Sequence, residues 1–175
     1  MSYRVLKSIE MDLSSESITQ AIREVGLFQQ QLRAGMNALV AELVKQGTEV
    51  AKMQVVSMDA VDTGDLEKSI YGYFSAGERI GYIFAPTPYA FYVEYGTGNA
   101  AMSSPHPEQG VRGVQYDQNA HGLGGWFYPS DKGWILTKNG TMLAWTRGMP
   151  ARPFMHNTMK WLEEAARTIA RSVLV

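Results

Sequence analysis

Between Ser14 and Val56 apolar residues return at steps of three, four or seven, a spacing that only a helix gathers onto one face. Ile18, Ile22 and Val25 form a first run, which Ser14 or Ser15 can cap. Gly26 interrupts it, so the pattern predicts one helix ending there and a second, longer one from about Leu27 to Val56. The stripe of the second is Leu32, Met36, Leu39, Leu43, Val50 and Met53, and its opposite face carries Gln30, Arg33, Asn37, Lys45 and Lys52. Gly35 and Gly47 each cost such a helix about 1 kcal/mol relative to Ala, and they mark close packing or a bend.

The remaining segments supply strands and one more helix. "SIYGYF" and "RIGYIF" alternate around the four residues "SAGE", which predicts a β-hairpin. Tyr89–Tyr95 is dense in aromatics with a single charge, Glu94, and "GTG" closes it. Residues 99–125 are rich in Gly, Pro, Ser, Asn and Gln, and form a long loop without periodicity. "GWFYPSDKGWILTKNGTMLAWTRG" then reads as short strands, with Asn139-Gly140 as the strongest short-range turn signal in the chain. A final helix opens after Pro153, with Phe154, Thr158, Trp161, Leu162, Ala165, Ile169 and Val173 on one face and Glu163–Arg167 as an i,i+4 pair. The expected architecture is α+β: a long N-terminal amphipathic helix and a C-terminal helix packed on a small antiparallel sheet. One domain spans residues 1–175, with residues 1–13 as an extended lead-in. Its length of 175 residues is enough for a core.

Charge and composition exclude several functions. The 16 Lys and Arg against 17 Asp and Glu leave a formal charge of -1 with no basic run, which disfavours non-specific nucleic-acid binding. The absence of cysteine removes disulfides and thiolate chemistry, and fits a reducing cytosol. The opening "MSYRVLKSIEMDL" has no signal-peptide core, and no stretch approaches the roughly 20 apolar residues of a membrane span. A cytoplasmic site of synthesis and no membrane partner are expected.

"AVDTGDLEKSI" contains Asp-Thr-Gly, the tripeptide that carries the catalytic carboxylate of aspartic proteases. Such a site needs two carboxylates about 3 Å apart sharing a proton, and an Asp on a tight loop after a buried apolar strand. Here a helix end precedes Asp62, and Asp65 crowds Gly64. Asp62 as a turn and capping residue is the better account. His106, His121 and His156 have no metal-ligand spacing, although His106 and His121 share the loop with Glu108 and Asp117. No nucleophile elbow and no phosphate loop are present. Neither a catalytic constellation nor a cofactor is expected. The inventory suits a protein that packs against other proteins.

Three segments, in order, resemble a known family. "AVDTGDLEKSI" is similar to its first signature, "YAFYVEYGTG" to its second, and "PARPFMHNTM" to its third, which opens the last helix. The family is the tailed-bacteriophage neck or tail-component proteins of lambda-like siphophages, often called gene-product-ten-like. "AELVKQGTEVAKM" also resembles its long helix, so the likeness covers roughly residues 20–173. The resemblance implies a structural, non-enzymatic virion protein at the head–tail junction or upper tail, assembled in the host cytoplasm. Copies would form a ring, sixfold by expectation, around a channel through which DNA passes without sequence recognition. Portal, head-closure and tail-terminator proteins are the implied partners. The alternatives are a bacterial or prophage-derived interaction module and, last, a homodimeric aspartic protease using Asp62.

On that view Asp62, Thr63 and Gly64 form the turn from long helix to sheet, and Leu66 and Ile70 anchor it, with Ser69 between them. Tyr89, Tyr92, Glu94 and Tyr95 pack the sheet edge, and Gly96, Thr97 and Gly98 make a sharp exit. Arg152, in the signature that continues through Pro153 and Phe154, is the expected partner of Glu94, because a buried carboxylate needs one and Arg can be bidentate. The 99–125 loop is expected to be mobile until it orders against a ring neighbour.

Overall fold

The computed structural model describes residues 9–108 and 124–174. The chain runs α1 (Ser15–Ser57), α2 (Asp65–Ser69), β1 (Tyr71–Ser75), β2 (Ile80–Phe84), α3 (Ala90–Tyr95), α4 (Gly98–Ser103), β3 (Trp126–Pro129), β4 (Ile135–Leu136), β5 (Met142–Thr146), β6 (Gly148–Met149) and α5 (Phe154–Val173). The fold is α+β, with a long N-terminal helix, a C-terminal helix and small antiparallel sheets. One sheet is the β1–β2 hairpin, and the other has the order β3-β5-β4.

α1 is one helix of 43 residues, not two. Ser14 caps it, accepting from the Ser17 N–H at 3.3 Å. Gly26 does not break it, because a single glycine costs only about 1 kcal/mol and helical neighbours continue on both sides. The C-terminal part of α1 is the platform of the fold. α5 runs back along it, with Leu162 against Gly47 and Leu174 against Gly35, and Asn157 Nδ2 reaches Gln54 Oε1 at 3.4 Å. The hairpin lies on the same stretch of α1. A Cβ at Gly72 or Gly81 would collide with Val44, so these two glycines are what lets the strands sit directly on the helix. The core joins Ala51 and Val55 of α1 to Leu66, Ile70, Ala90, Val93 and Phe154.

The hairpin pairs Tyr71 with Phe84 through Ser75 with Ile80, and its turn places Arg79 at φ 57°. In the second sheet β4 and β5 are joined through a turn in which Gly140 adopts φ 78°. Three expectations need correction. Tyr89–Tyr95, expected only to pack the sheet edge, is largely helical. Its core is the helix α3, with Ala90, Val93 and Glu94 inward and Phe91 and Tyr92 outward. The expected loop of residues 99–125 begins as α4, with Ala101 fully buried, while residues 109–123 lie outside the described residues. Glu163 pairs with Lys160 at 3.1 Å rather than with Arg167. Among the described residues no helix is long and apolar enough to cross a membrane.

Two glycines should respond oppositely to a methyl group. Gly26 has nothing within 4 Å of a built Cβ, so Gly26→Ala should raise the unfolding free energy by up to about 1 kcal/mol. Gly72→Ala should lower it by about 1–3 kcal/mol through overpacking against α1. Urea denaturation measures both, and equal small effects would refute the direct seating of the hairpin on α1.

Candidate functional site

The three signature segments, far apart in sequence, converge around the end of α1. Thr63 Oγ1 donates to Asp65 Oδ2 at 2.6 Å and accepts from the Asp65 N–H at 3.3 Å. Gly64 takes φ 81° and starts α2. Leu66 and Ile70 point into the core, and Ser69 Oγ donates back to the Leu66 carbonyl at 2.8 Å. Asp62 stands in solvent, its carboxylate 4.0 Å from Lys132 Nζ. No strand precedes it, since α1 ends at Ser57. It therefore lacks the buried strand-end setting that an aspartic-protease carboxylate requires.

Glu94 is the chemically unusual residue. It is a carboxylate with only 7% of its surface exposed, and it accepts three hydrogen bonds. Oε2 takes the Met155 N–H at 2.9 Å, and Oε1 takes the His156 N–H at 3.0 Å and His106 Nε2 at 3.0 Å. Met155 and His156 belong to the first turn of α5, whose N–H groups have no partner within the helix. Pro153, at the cap position, has no side chain to satisfy them. Glu94 thus caps α5 from another element, and its charge faces the positive end of the helix dipole.

Arg152 is not its partner. Arg152 Nε donates to the Met58 carbonyl at 3.0 Å, at the end of α1, and its backbone N–H donates to the Val93 carbonyl at 2.9 Å. The guanidinium thus satisfies a C-terminal carbonyl of one helix while the preceding segment's carboxylate satisfies the N-terminus of another. Phe154 follows immediately and is buried to 1% exposure.

His106 completes the cluster; the sequence placed it in a polar loop with Glu108 but gave no sign that it faces Glu94. Its Nε2 donates to Glu94, and its Nδ1 accepts the Glu108 N–H at 3.0 Å, so both ring nitrogens are used. Tyr95 lies against the ring at 4.4 Å between centroids. His156 Nδ1 lies 3.3 Å from Glu108 Oε1. His121 and Asp117 lie outside the described residues. Among those described, no group of three His, Cys, Asp or Glu side chains could hold a metal ion.

Gly96 and Thr97 bring the second signature against the third. A Cβ at Gly96 would lie 2.6 Å from the Ala151 nitrogen, and Thr97 Oγ1 accepts the Met149 N–H at 3.1 Å. Tyr89 and Tyr92 face outward, and Tyr95 is half-buried. The result is a cavity of about 490 Å³ lined by the 59–67 turn, Tyr89, Val93, Met149 and Arg152. A second, of about 390 Å³, opens beside His106, His156 and Tyr82. The signature residues therefore build a packed junction of four helices. Glu94, Thr97 and Arg152 hold that junction together, while Asp62, Tyr89 and Tyr92 stand at its surface.

Glu94→Ala should destabilise the protein by about 3–5 kcal/mol, because it strands two helix N–H groups and a buried imidazole. His106→Ala should cost less, and the double variant should fall short of the sum by at least about 0.5 kcal/mol. Chemical denaturation of the four proteins checks this, and strict additivity would remove the pair. Comparison with known proteins finds no matching family model, no matching curated protein and no matching solved structure.

Proposed function

We propose that this chain is a structural component of a tailed-phage particle, joining head to tail or completing the upper tail as one copy in a ring. It acts by contact rather than by catalysis. The observation that carries this reading is the outer part of α1. α5 reaches back only to Gly35, so residues 15–34 run on for about 30 Å. Ile22, Val25, Phe28 and Leu32 are exposed along that length. A solvated helix carries polar residues all round, whereas an apolar stripe of this extent marks a surface made for another protein. The three signature segments support the same reading, because Glu94, Thr97 and Arg152 brace the junction rather than line a reactive site. Asp62, the residue on which a protease would depend, is exposed beside Lys132.

Portal, head-closure and tail-terminator proteins are the partners on this reading, and the virion neck or tail is its place. Deleting the gene from a phage or prophage that encodes it should yield full heads beside unattached tails, or tails of abnormal length, in negative-stain images. Asp62→Asn should restore normal particles, since a turn residue tolerates the change and a protease does not. Normal, infectious particles from the deletion would overturn the proposal in favour of a host interaction protein.

A further inference from the structure

The β1–β2 hairpin has two faces of opposite character. The inner face carries Gly72 and Gly81 and lies on Val40 and Val44 of α1. The outer face carries Tyr71, Tyr73, Ile80, Tyr82 and Phe84, all exposed. Antiparallel sheets with one solvated face alternate apolar-in with polar-out. Here the outward positions are aromatic and aliphatic instead, the pattern of a sheet covered on both sides. The rings are already ordered against one another, with Tyr71–Phe84 at 5.1 Å, Tyr82–Phe84 at 5.7 Å and Tyr73–Tyr82 at 6.3 Å between centroids. A preorganised aromatic surface loses little side-chain freedom on binding.

We infer that this outer hairpin face is an interface, and that its occupant is the outer half of α1, residues 15–34, from a second copy of this chain. The inference rests on the assembly reading above and specifies its contact. Three observations favour a second copy. First, the flat face needs an apolar stripe, and a helix on a sheet face is the standard way to bury both. The chain repeats this arrangement within itself, where α1 covers the inner face. Second, the outer half of α1 cannot reach its own hairpin's outer face. α1 is continuous through Gly26 and passes beneath the other side, so among the described residues its exposed stripe, of which only Ala21 is buried, and the outer hairpin face can meet only between copies.

Third, the areas match. At ~200 Å² per aromatic ring, the half-exposed rings of the hairpin offer about 400 Å², and the stripe of α1 offers a similar amount. About 800 Å² of apolar surface corresponds to an interface of roughly 1,400 Å² at the usual apolar fraction, within the range of stable complexes. The contact joins two different patches, so every copy has one of each to offer, and repetition gives a closed ring or an open filament.

Such a contact has a mixing signature. Tyr73→Glu with Tyr82→Glu disables the hairpin face, and Ile22→Glu with Leu32→Glu disables the helix. All four sites are exposed, so far-ultraviolet circular dichroism should stay at the wild-type values. The helix variant should keep its melting temperature, while the hairpin variant, which loses the Tyr73–Tyr82 ring pair and sets two carboxylates opposite each other, should melt lower but remain folded at the assay temperature. Light scattering after size exclusion should give an oligomer for the wild type and a monomer for each variant, with self-association weakened on the order of 100-fold or more. An equal mixture of the two variants should form dimers and nothing larger, since one intact hairpin meets one intact helix. A wild type that stays monomeric at its solubility limit, a hairpin variant that still assembles, or a mixture that stays monomeric would each overturn this interface. None of these outcomes touches the deletion phenotype, so failure here and failure of the phage reading are separable.

Discussion

The fold turns on one buried carboxylate. Glu94 sits in a helix too short to be stable alone, yet its two oxygens satisfy the first turn of α5 and one nitrogen of His106. Burying an ionised group costs several kcal/mol unless hydrogen bonds and opposite charge replace water. Here three donors and a helix N-terminus replace it. The arrangement fixes where α5 starts, and therefore how α5 lies along α1. It also ties the segment after α4 to the same point, because His106 can reach Glu94 only when that segment folds back over α3. Arg152 works from the opposite side, closing the end of α1 at Met58 while Phe154 fills the core beside it. Two charged residues thus order two helix ends without touching one another.

Close approach is the second constraint. α1 contacts α5 and the hairpin along a single stretch, and small residues make this possible. Gly47 admits Leu162 and Ile83, and Gly72 and Gly81 admit Val44. The glycines inside α1 lower its intrinsic helix propensity, but tertiary contact returns more than they cost at Gly47. At Gly26 no contact compensates, and the helix persists because its neighbours on both sides propagate it.

What the sequence made legible follows from range. Period-3.6 and period-2 patterns are local, so α5, the hairpin and the helicity of both halves of α1 were readable, as were the Ser14 cap and the Asn139-Gly140 turn, but the continuity of α1 through Gly26 was not. α3 was not. Its six residues span under two turns, and aromatic and β-branched side chains favour strands when nothing else decides. Burial of Ala90, Val93 and Glu94 on one side decides it here. The need of Glu94 for a partner was readable, but the partner was not. Arg152 was the natural choice by charge, while the actual donors include main-chain groups 61 and 62 residues away, which no side-chain pattern reveals. His106 was hidden for the same reason. Its role depends on a fold-back that only the tertiary structure supplies.

The division between braced and bare surfaces bears on how such a protein works. Around the junction Glu94, His106, Arg152 and Thr97 all use their polar groups, and buried apolar side chains pack beside them. The outer half of α1 and the outer face of the hairpin are apolar and unsupported, but each is anchored at one end to that junction. A mobile segment that orders on binding would lose affinity to its own ordering. Surfaces held in place in advance avoid that cost, so modest apolar areas suffice. On the proposed assembly reading, such a chain stays folded without its neighbours and assembles when their local concentration rises. The proposed phage component would need that behaviour, since it would join only after the structure it completes has been built.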